Sequence, residues 1–324
     1  MAKPPLLVTR HLPEAIEARA ARDYAAALNP NDEPWSTDAA EIIRRAAAIS
    51  AQGILCAAGD RLDAACIAGL PASVKLLSTF SVGTDHIDLE AARARGIQVA
   101  NTPDVLSFAT AEIAFTLLLM AARRAGEGER MVRAGQWQGW APTQLMGVTL
   151  EGKTLGILGL GRIGREMAAM ARGVRMEVHY HGRRRLAPEL EQGAIWHADE
   201  AEFLGGIDVL SMHIPGSAAT RHWLNAARIA RLKRGAIVVN TGRGTTVDDA
   251  ALIAALQSGQ VRAAGLDVYD GEPRVNPGYF ALENVVLLPH LGSATVETRD
   301  AMGHRALDNL DAVLLRGEKP PFPA

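Results

Sequence analysis

The stretch TLGILGLGRIGREMAAMARG, residues 154–173, decides the fold. TLGIL is a short, mostly apolar run of strand type. GLGRIG then sets Gly159, Gly161 and Gly164 in the G-x-G-x-x-G spacing, and REMAAMARG continues with a helical pattern. The spacing alone carries little. Between a strand and a helix it is what a dinucleotide-binding turn requires. Gly159 allows the tight turn, Gly161 lets the backbone approach a pyrophosphate, and Gly164 lets helix and strand pack closely. With Arg162 and Ile163 these glycines form a candidate cofactor-binding turn, whose N–H groups at the helix start face the anion. The alternative is a tight turn with no ligand.

The next strand, MEVHY, runs into HGRRR, with Gly182 eighteen residues past Gly164. In a dinucleotide fold the second strand ends near the adenosine ribose, where an Asp or Glu selects NAD. Here there is no acid. Gly182 leaves room for a 2′-phosphate, and Arg183 and Arg184 can fork onto its roughly 1.5 to 2 negative charges. The cofactor expected is therefore NADP(H), with NAD(H) bound more weakly. A solvated basic loop is the alternative.

Further outward, DVLSMHI, AIVVNTG, AAGLDV and NVVLLPH complete a series of six near-continuous apolar strands with helices between them. That pattern is a parallel sheet covered on both faces. Before residue 100, LLVT, GILCAA and VKLLSTF read as strands, with helices over PEAIEARAARDYAAAL, DRLDAACIAGL and LEAARARG. A buried helix is expected from Thr102 to Gly126, with Leu117, Leu118, Leu119 and Met120 apolar on every side. No repeat of fixed period appears, and the tail KPPFPA is expected to fray.

Three later stretches carry candidate chemistry: NTGRG with Arg243, GLDVYDGEP with Asp267 and Glu272, and LLPHLGS with His290. All lie at expected strand ends, where open α/β sheets bind ligands. A guanidinium grips a carboxylate and keto oxygen in a planar fork. An imidazolium donates a proton to that oxygen as hydride reaches carbon. A neighbouring carboxylate orients the ring and favours its charged form. Singly, each has an ordinary reading as a surface charge or turn residue.

The whole chain is consistent with this. Its 324 residues suffice for two domains, and 48% hydrophobic with 22% charged residues reads as globular. A net charge of -2 favours neither nucleic acid nor membrane. IAFTLLLMAA is about half a membrane span, and no secretory signal is visible. Cys56 and Cys66 lack metal or redox spacing, so no metal site is expected and a reducing cytoplasm fits.

At this point the chain resembles the D-isomer-specific 2-hydroxyacid dehydrogenases, through STFSVGTDHIDL, NTPDVLSFATAEIAFTLLL, GILGLGRIG, VVNTGRG, AAGLDVYDGEP and LPHLGSAT. The resemblance implies an α/β protein of two Rossmann/flavodoxin-like parallel-sheet domains with a cleft between them. Residues 1–100 plus 291–324 would form a discontinuous substrate domain and 101–290 the NAD(P)-binding domain, joined through two long helices. It implies Arg243, Glu272 and His290 as the catalytic set. Val82 and Gly83 N–H groups would bind the substrate carboxylate with Arg243, and Ser293 would add a contact. Thr110, Pro215, Thr241, Asp267 and Gly292 would line the cofactor site. Glyoxylate/hydroxypyruvate reductases look closest, which implies reduction of a small 2-keto acid. The alternatives are 2-ketogluconate or a bulkier 2-keto acid, or a nucleotide-sensing regulatory protein. Gly242 stands where similar chains carry Ala or Ser, which is expected to loosen the loop of Arg243. Trp137 and Trp140 are expected to anchor a homodimer, with burial inside one chain as the alternative.

Overall fold

A computed structural model of the protein describes residues 2–31 and 39–324. The chain forms two compact units, one of residues 1–106 and 294–324 and one of residues 107–293.

In the first unit, β1 (Pro5–Val8), β2 (Ala25–Ala27), β3 (Gly53–Cys56), β4 (Leu76–Thr79) and β5 (Gln98–Ala100) form a parallel sheet in the order β2-β1-β3-β4-β5. β3 and β4 are buried at every position, as strands covered on both faces must be. The helix expected over residues 13–28 is shorter, Glu14–Asp23. Tyr24 turns inward, 1% exposed, and its hydroxyl donates to Asp311 at 2.5 Å. Ala25–Ala27 then pair with Pro5–Leu7. Alanine is the best helix former, but local propensity is a weak preference, and pairing with a buried strand overrides it here.

The helix Val296–Leu310 returns to this unit and covers its sheet. Ser78 Oγ donates to the Ala306 carbonyl at 2.8 Å, and a Cβ at Gly303 would stand 2.4 Å from Ile16 Cγ1. The tail is docked where fraying was expected. Asn101 N–H donates to the Phe322 carbonyl (3.1 Å), Ala324 N–H to Val99 (3.0 Å), and the Arg305 guanidinium lies 4.4 Å from the Phe322 ring centre. Backbone pairing along β5 and that stacking order a segment whose composition reads as loose.

The second unit holds β6 (Thr154–Leu158), β7 (Glu177–His181), β8 (Ile195–Trp196), β9 (Val209–Met212), β10 (Ala236–Asn240), β11 (Val261–Leu266) and β12 (Val285–Leu287). They form a parallel sheet in the order β12-β11-β10-β9-β6-β7-β8. Six strands were legible; the seventh, β8, has two residues and is too short for a pattern. The order reverses at β6, the strand that feeds the glycine turn. In doubly wound sheets that reversal marks the ligand site.

The helix expected over residues 102–126 is Ser107–Arg123, and Arg124, at φ 53°, separates it from a second helix, Ala125–Arg133. Leu117 and Leu118 are fully buried, but Leu119 is 39% exposed. The directions of four successive helical residues are spread over about 300° around the axis, and Leu119 is the one that faces outward. No helix among the described residues is long and apolar enough to cross a membrane.

Candidate active site

The glycine turn lies where β6 meets the helix Arg162–Gly173. Gly159 has φ 91°, which a side chain rarely adopts, and a Cβ there would lie 3.2 Å from the His213 carbonyl. A Cβ at Gly164 would lie 2.5 Å from the Gly159 carbonyl, so helix and turn press together. At Gly161 nothing lies within 4 Å of a Cβ. That open space sits over the first turn of a helix of 12 residues, beside Arg162 and Ile163. Backbone N–H groups and the helix dipole favour an anion there. The cradle fits a dinucleotide pyrophosphate.

Gly159 N–H donates to the His181 carbonyl at 2.9 Å, tying the turn to the end of β7. Gly182 follows, with nothing within 4 Å of a Cβ. The three arginines after it are not equivalent. Arg185 forks onto Glu191, Nε to Oε1 at 2.8 Å and Nη2 to Oε2 at 3.2 Å. Glu191 also accepts the Tyr180 hydroxyl at 2.5 Å. The Arg185 and Tyr180 contacts hold the Glu191 carboxyl below its ordinary pKa. Arg185 is therefore part of the fold. Arg183 and Arg184 are exposed and have no hydrogen bond or ion pair among the described residues.

Pro215, exposed, follows His213 and Ile214, which abut the Gly159 turn. His213 was not singled out from the sequence. Its Nε2 is 2.9 Å from Ser211 Oγ, and its Nδ1 is 3.5 Å from Oγ1 of Thr241, itself 6% exposed. Burial pushes the His213 pKa down to about 4. Between that value and the ordinary 6.5 the unfolded chain binds the proton and the folded chain does not. Stability is therefore complete above about 6.5 and is lost as pH falls toward 4. A His213→Gln chain should lose less melting temperature between pH 7 and pH 5 than the native chain. Parallel losses refute this assignment.

The other candidate residues gather at the ends of β10, β11 and β12. Asn240, the last residue of β10, accepts the Gly242 N–H on Oδ1 (3.0 Å) and donates from Nδ2 to the Arg243 carbonyl (3.0 Å). The loop that Gly242 was expected to loosen is thus clamped on both sides. A Cβ at Gly242 would also stand 3.0 Å from the Ile214 carbonyl. Beyond β11, Asp267 is 1% exposed and accepts the N–H groups of Leu291 (2.7 Å) and Gly292 (2.8 Å). Burial raises its pKa against those two bonds. A Cβ at Gly292 would meet both Asp267 Oδ2 and Thr110 Cγ2 at 3.3 Å, which places these three residues together.

His290 follows β12 with φ 57°, and its backbone N–H donates to Asp267 at 3.0 Å. Its Nδ1 lies 2.7 Å from Glu272 Oε2, while Glu272 Oε1 accepts the Tyr269 N–H at 2.8 Å. Burial opposes ionisation of Glu272. The His290 bond and charge, the Tyr269 N–H and the nearby Arg243 guanidinium outweigh it and hold the carboxyl below its ordinary pKa. An ionised Glu272 makes Nδ1 the donor, so Nε2 is the ring atom left to exchange a proton. The Glu272 and His290 side chains remain 34% and 45% exposed, open to a reactant. Ser293, half-buried, closes the same loop.

Val82 and Gly83 belong to the first unit. Their carbonyls accept Asn101 Nδ2 (2.8 Å) and Ser81 Oγ (2.5 Å), and no hydrogen bond among the described residues takes their N–H groups.

Comparison with known proteins agrees with this architecture. Residues 115–292 match the family model for the D-isomer specific 2-hydroxyacid dehydrogenase, NAD binding domain. The glycerate dehydrogenase of Hyphomicrobium methylovorum is 42% identical over 315 residues, 97% of each chain. The glyoxylate reductase of Thermococcus litoralis is 38% identical over 323 residues, 98% of this chain and 96% of that one. The crystal structure of an NADPH-dependent glyoxylate/hydroxypyruvate reductase from Sinorhizobium meliloti, in complex with NADP and malonate, superposes with a TM-score of 0.88. It is 33% identical and covers 100% of this chain and 97% of that one.

Proposed function

The chain belongs to the D-isomer specific 2-hydroxyacid dehydrogenase family, and from that premise we propose that it is an NADPH-preferring reductase of glyoxylate and hydroxypyruvate. The observation that carries the reading is the 2.7 Å contact of Glu272 with His290 Nδ1, within the field of Arg243, on the sheet whose β6 feeds the glycine turn.

A bound nicotinamide dinucleotide supplies the hydride. The chain's own residues do the rest. The Gly159–Gly164 turn, with Arg162 and Ile163, holds the pyrophosphate; Thr110, Pro215, Thr241, Asp267 and Gly292 line the nicotinamide half. Arg243 forks onto the carboxylate and keto oxygen of the acid, with the hydroxyl of Ser293 as a further donor, and the N–H groups of Val82 and Gly83 are the first unit's own donors to a carboxylate. His290 gives its Nε2 proton to the oxygen as the alcohol forms, and Glu272 stabilises the ring's charged form meanwhile. The first unit is then the substrate domain and the second the cofactor domain.

Arg183 and Arg184 support the NADPH preference, since they stand beyond Gly182 without an internal partner while Arg185 is spoken for. A charge-assisted hydrogen bond contributes roughly 1.5–3 kcal/mol, so Arg183→Ala should weaken NADPH at least tenfold and NADH far less. Equal weakening of both refutes the assignment. The test of the whole reading is oxidation of NADPH and NADH over glyoxylate, hydroxypyruvate, 2-ketogluconate, pyruvate and phenylpyruvate. The first two acids with NADPH should give the highest kcat/KM. Faster turnover of 2-ketogluconate or phenylpyruvate moves the substrate to the bulkier acids. Binding without any turnover makes the chain a nucleotide sensor.

The helix Ala125–Arg133 and the segment after it support a homodimer. Val132, Trp137, Trp140 and Met146 are 60, 55, 80 and 60% exposed, so the two tryptophans are not buried within their own chain. Four large exposed apolar side chains within fifteen residues suit an interface. Sedimentation velocity should find a dimer that Trp140→Glu weakens; a monomeric native chain rejects it. Cys56 and Cys66, both buried and unpaired, support a reducing compartment.

A further inference from the structure

The loop that carries Arg183 and Arg184 returns to the strand that launched it. At its start, the His181 carbonyl accepts Gly159 N–H at 2.9 Å, which ties the end of β7 to the glycine turn. At its finish, Leu186 N–H donates to the Tyr180 hydroxyl at 2.9 Å. Tyr180 is the fourth residue of β7 and is 1% exposed. One buried side chain therefore closes the segment between residues 180 and 186, and both exposed arginines lie inside it.

The hydroxyl is held in turn. It donates to Glu191 Oε1 at 2.5 Å, and burial together with that bond pushes its pKa above the ordinary value, so it stays a donor. Glu191 is the last residue of the short helix Pro188–Glu191 and is 7% exposed. Its carboxylate takes the Arg185 fork, and its backbone carbonyl takes Arg172 Nη2 at 3.4 Å, from the helix that starts at the glycine turn. The fork offsets the buried charge, so Glu191 does not stand as a bare anion beside a phosphate site. Tyr180 also packs on Trp196 of β8, with ring centres 5.0 Å apart. An arginine on a loose loop loses chain entropy when it orders on a ligand, whereas one on a closed loop has already lost it.

We propose that Tyr180 and Glu191 are positioning residues for cofactor choice: they brace the loop so that Arg183 and Arg184 meet a 2′-phosphate without first having to order. Arg185, the third arginine, serves the brace and not the phosphate. The inference rests on the assignment of Arg183 and Arg184 to NADPH.

The test compares Tyr180→Phe with the native chain, by fluorescence titration of NADPH and NADH and by hydrogen exchange of the chain without cofactor. Phenylalanine keeps the ring against Trp196 and removes only the hydroxyl. NADPH should weaken about three- to tenfold, the effect of one net hydrogen bond, and NADH less than about twofold. Exchange over residues 182–187 should quicken with no cofactor present. In a chain that also carries Arg183→Ala and Arg184→Ala, the same substitution should change NADPH affinity less than about twofold, because nothing remains for the brace to aim. Glu191→Gln, which keeps the shape but weakens the Arg185 fork, is the second variant and should also weaken NADPH selectively. Melting curves check that each variant is folded. Equal weakening of the two cofactors overturns the proposal, as does unchanged exchange of the loop or a full further loss in the chain lacking both arginines. Tighter NADPH binding in Glu191→Gln overturns it as well, because Arg185 would then be a phosphate ligand withheld by the carboxylate. If Arg183→Ala fails to discriminate between the cofactors, the NADPH reading falls and the brace with it. Discrimination there with none in Tyr180→Phe removes the brace alone.

Discussion

His290→Asn should lower kcat with glyoxylate and hydroxypyruvate by about 10²- to 10⁴-fold, the range that a positioned general acid contributes. Asparagine is the informative replacement because His290 sits at φ 57°, where asparagine is tolerated better than most residues. The backbone bond from residue 290 to Asp267, 3.0 Å long, should then survive, and with it the Leu291 and Gly292 contacts to the Asp267 carboxylate. The variant removes the titrating ring and little else. NADPH affinity, measured by fluorescence titration, should change less than about threefold. A loss of cofactor binding as large as the loss of turnover would mean that His290 holds the loop and transfers no proton. Retained turnover would remove it from the chemistry altogether.

Gly244→Ala should abolish activity and destabilise the second unit by roughly 4 kcal/mol or more, at the extreme of single substitutions. A Cβ at this buried position would fall 1.8 Å from the carbonyl carbon of Tyr269 and 2.3 Å from Asp270 N. Neither atom belongs to a side chain that can swing aside, and overpacking against flexible side chains alone costs about 1–3 kcal/mol. The close approach presses the Arg243 loop onto the segment that carries Tyr269 and Glu272. Relief of the clash has to move Arg243, Glu272, or both. Denaturant unfolding checks the stability loss, and a variant of native stability and turnover would mean that the loops separate without consequence.

These two positions also divide what is readable from what is not. The two α/β series, the glycine turn, the missing acid after β7 and the Arg243, Glu272 and His290 segments are local patterns. Strands buried on both faces are apolar throughout, and a turn that admits a phosphate needs its glycines at fixed steps, so a linear reading finds them. Elements held by distant partners are not found this way. Ala25–Ala27 is alanine-rich and becomes a strand only because Pro5–Leu7 lies beside it. The tail reads as loose and is ordered by β5 and Arg305. Gly244 looks like one more glycine in NTGRG until Tyr269 is placed against it, and His213 looks like a strand-end histidine until burial is known. A polar Asn240 inside an otherwise apolar strand was the one visible signal of the clamp on Arg243.

The sequence by itself therefore determined the fold class and the chemical inventory, because periodicity and residue type are properties of neighbours along the chain. The tertiary structure decided which arginine of the triplet is bound internally, which histidine nitrogen is free, and how the loop of Arg243 is braced. Those outcomes depend on contacts between residues apart in sequence, such as Glu272 and His290, 18 residues apart, and only folding brings such groups within hydrogen-bonding distance.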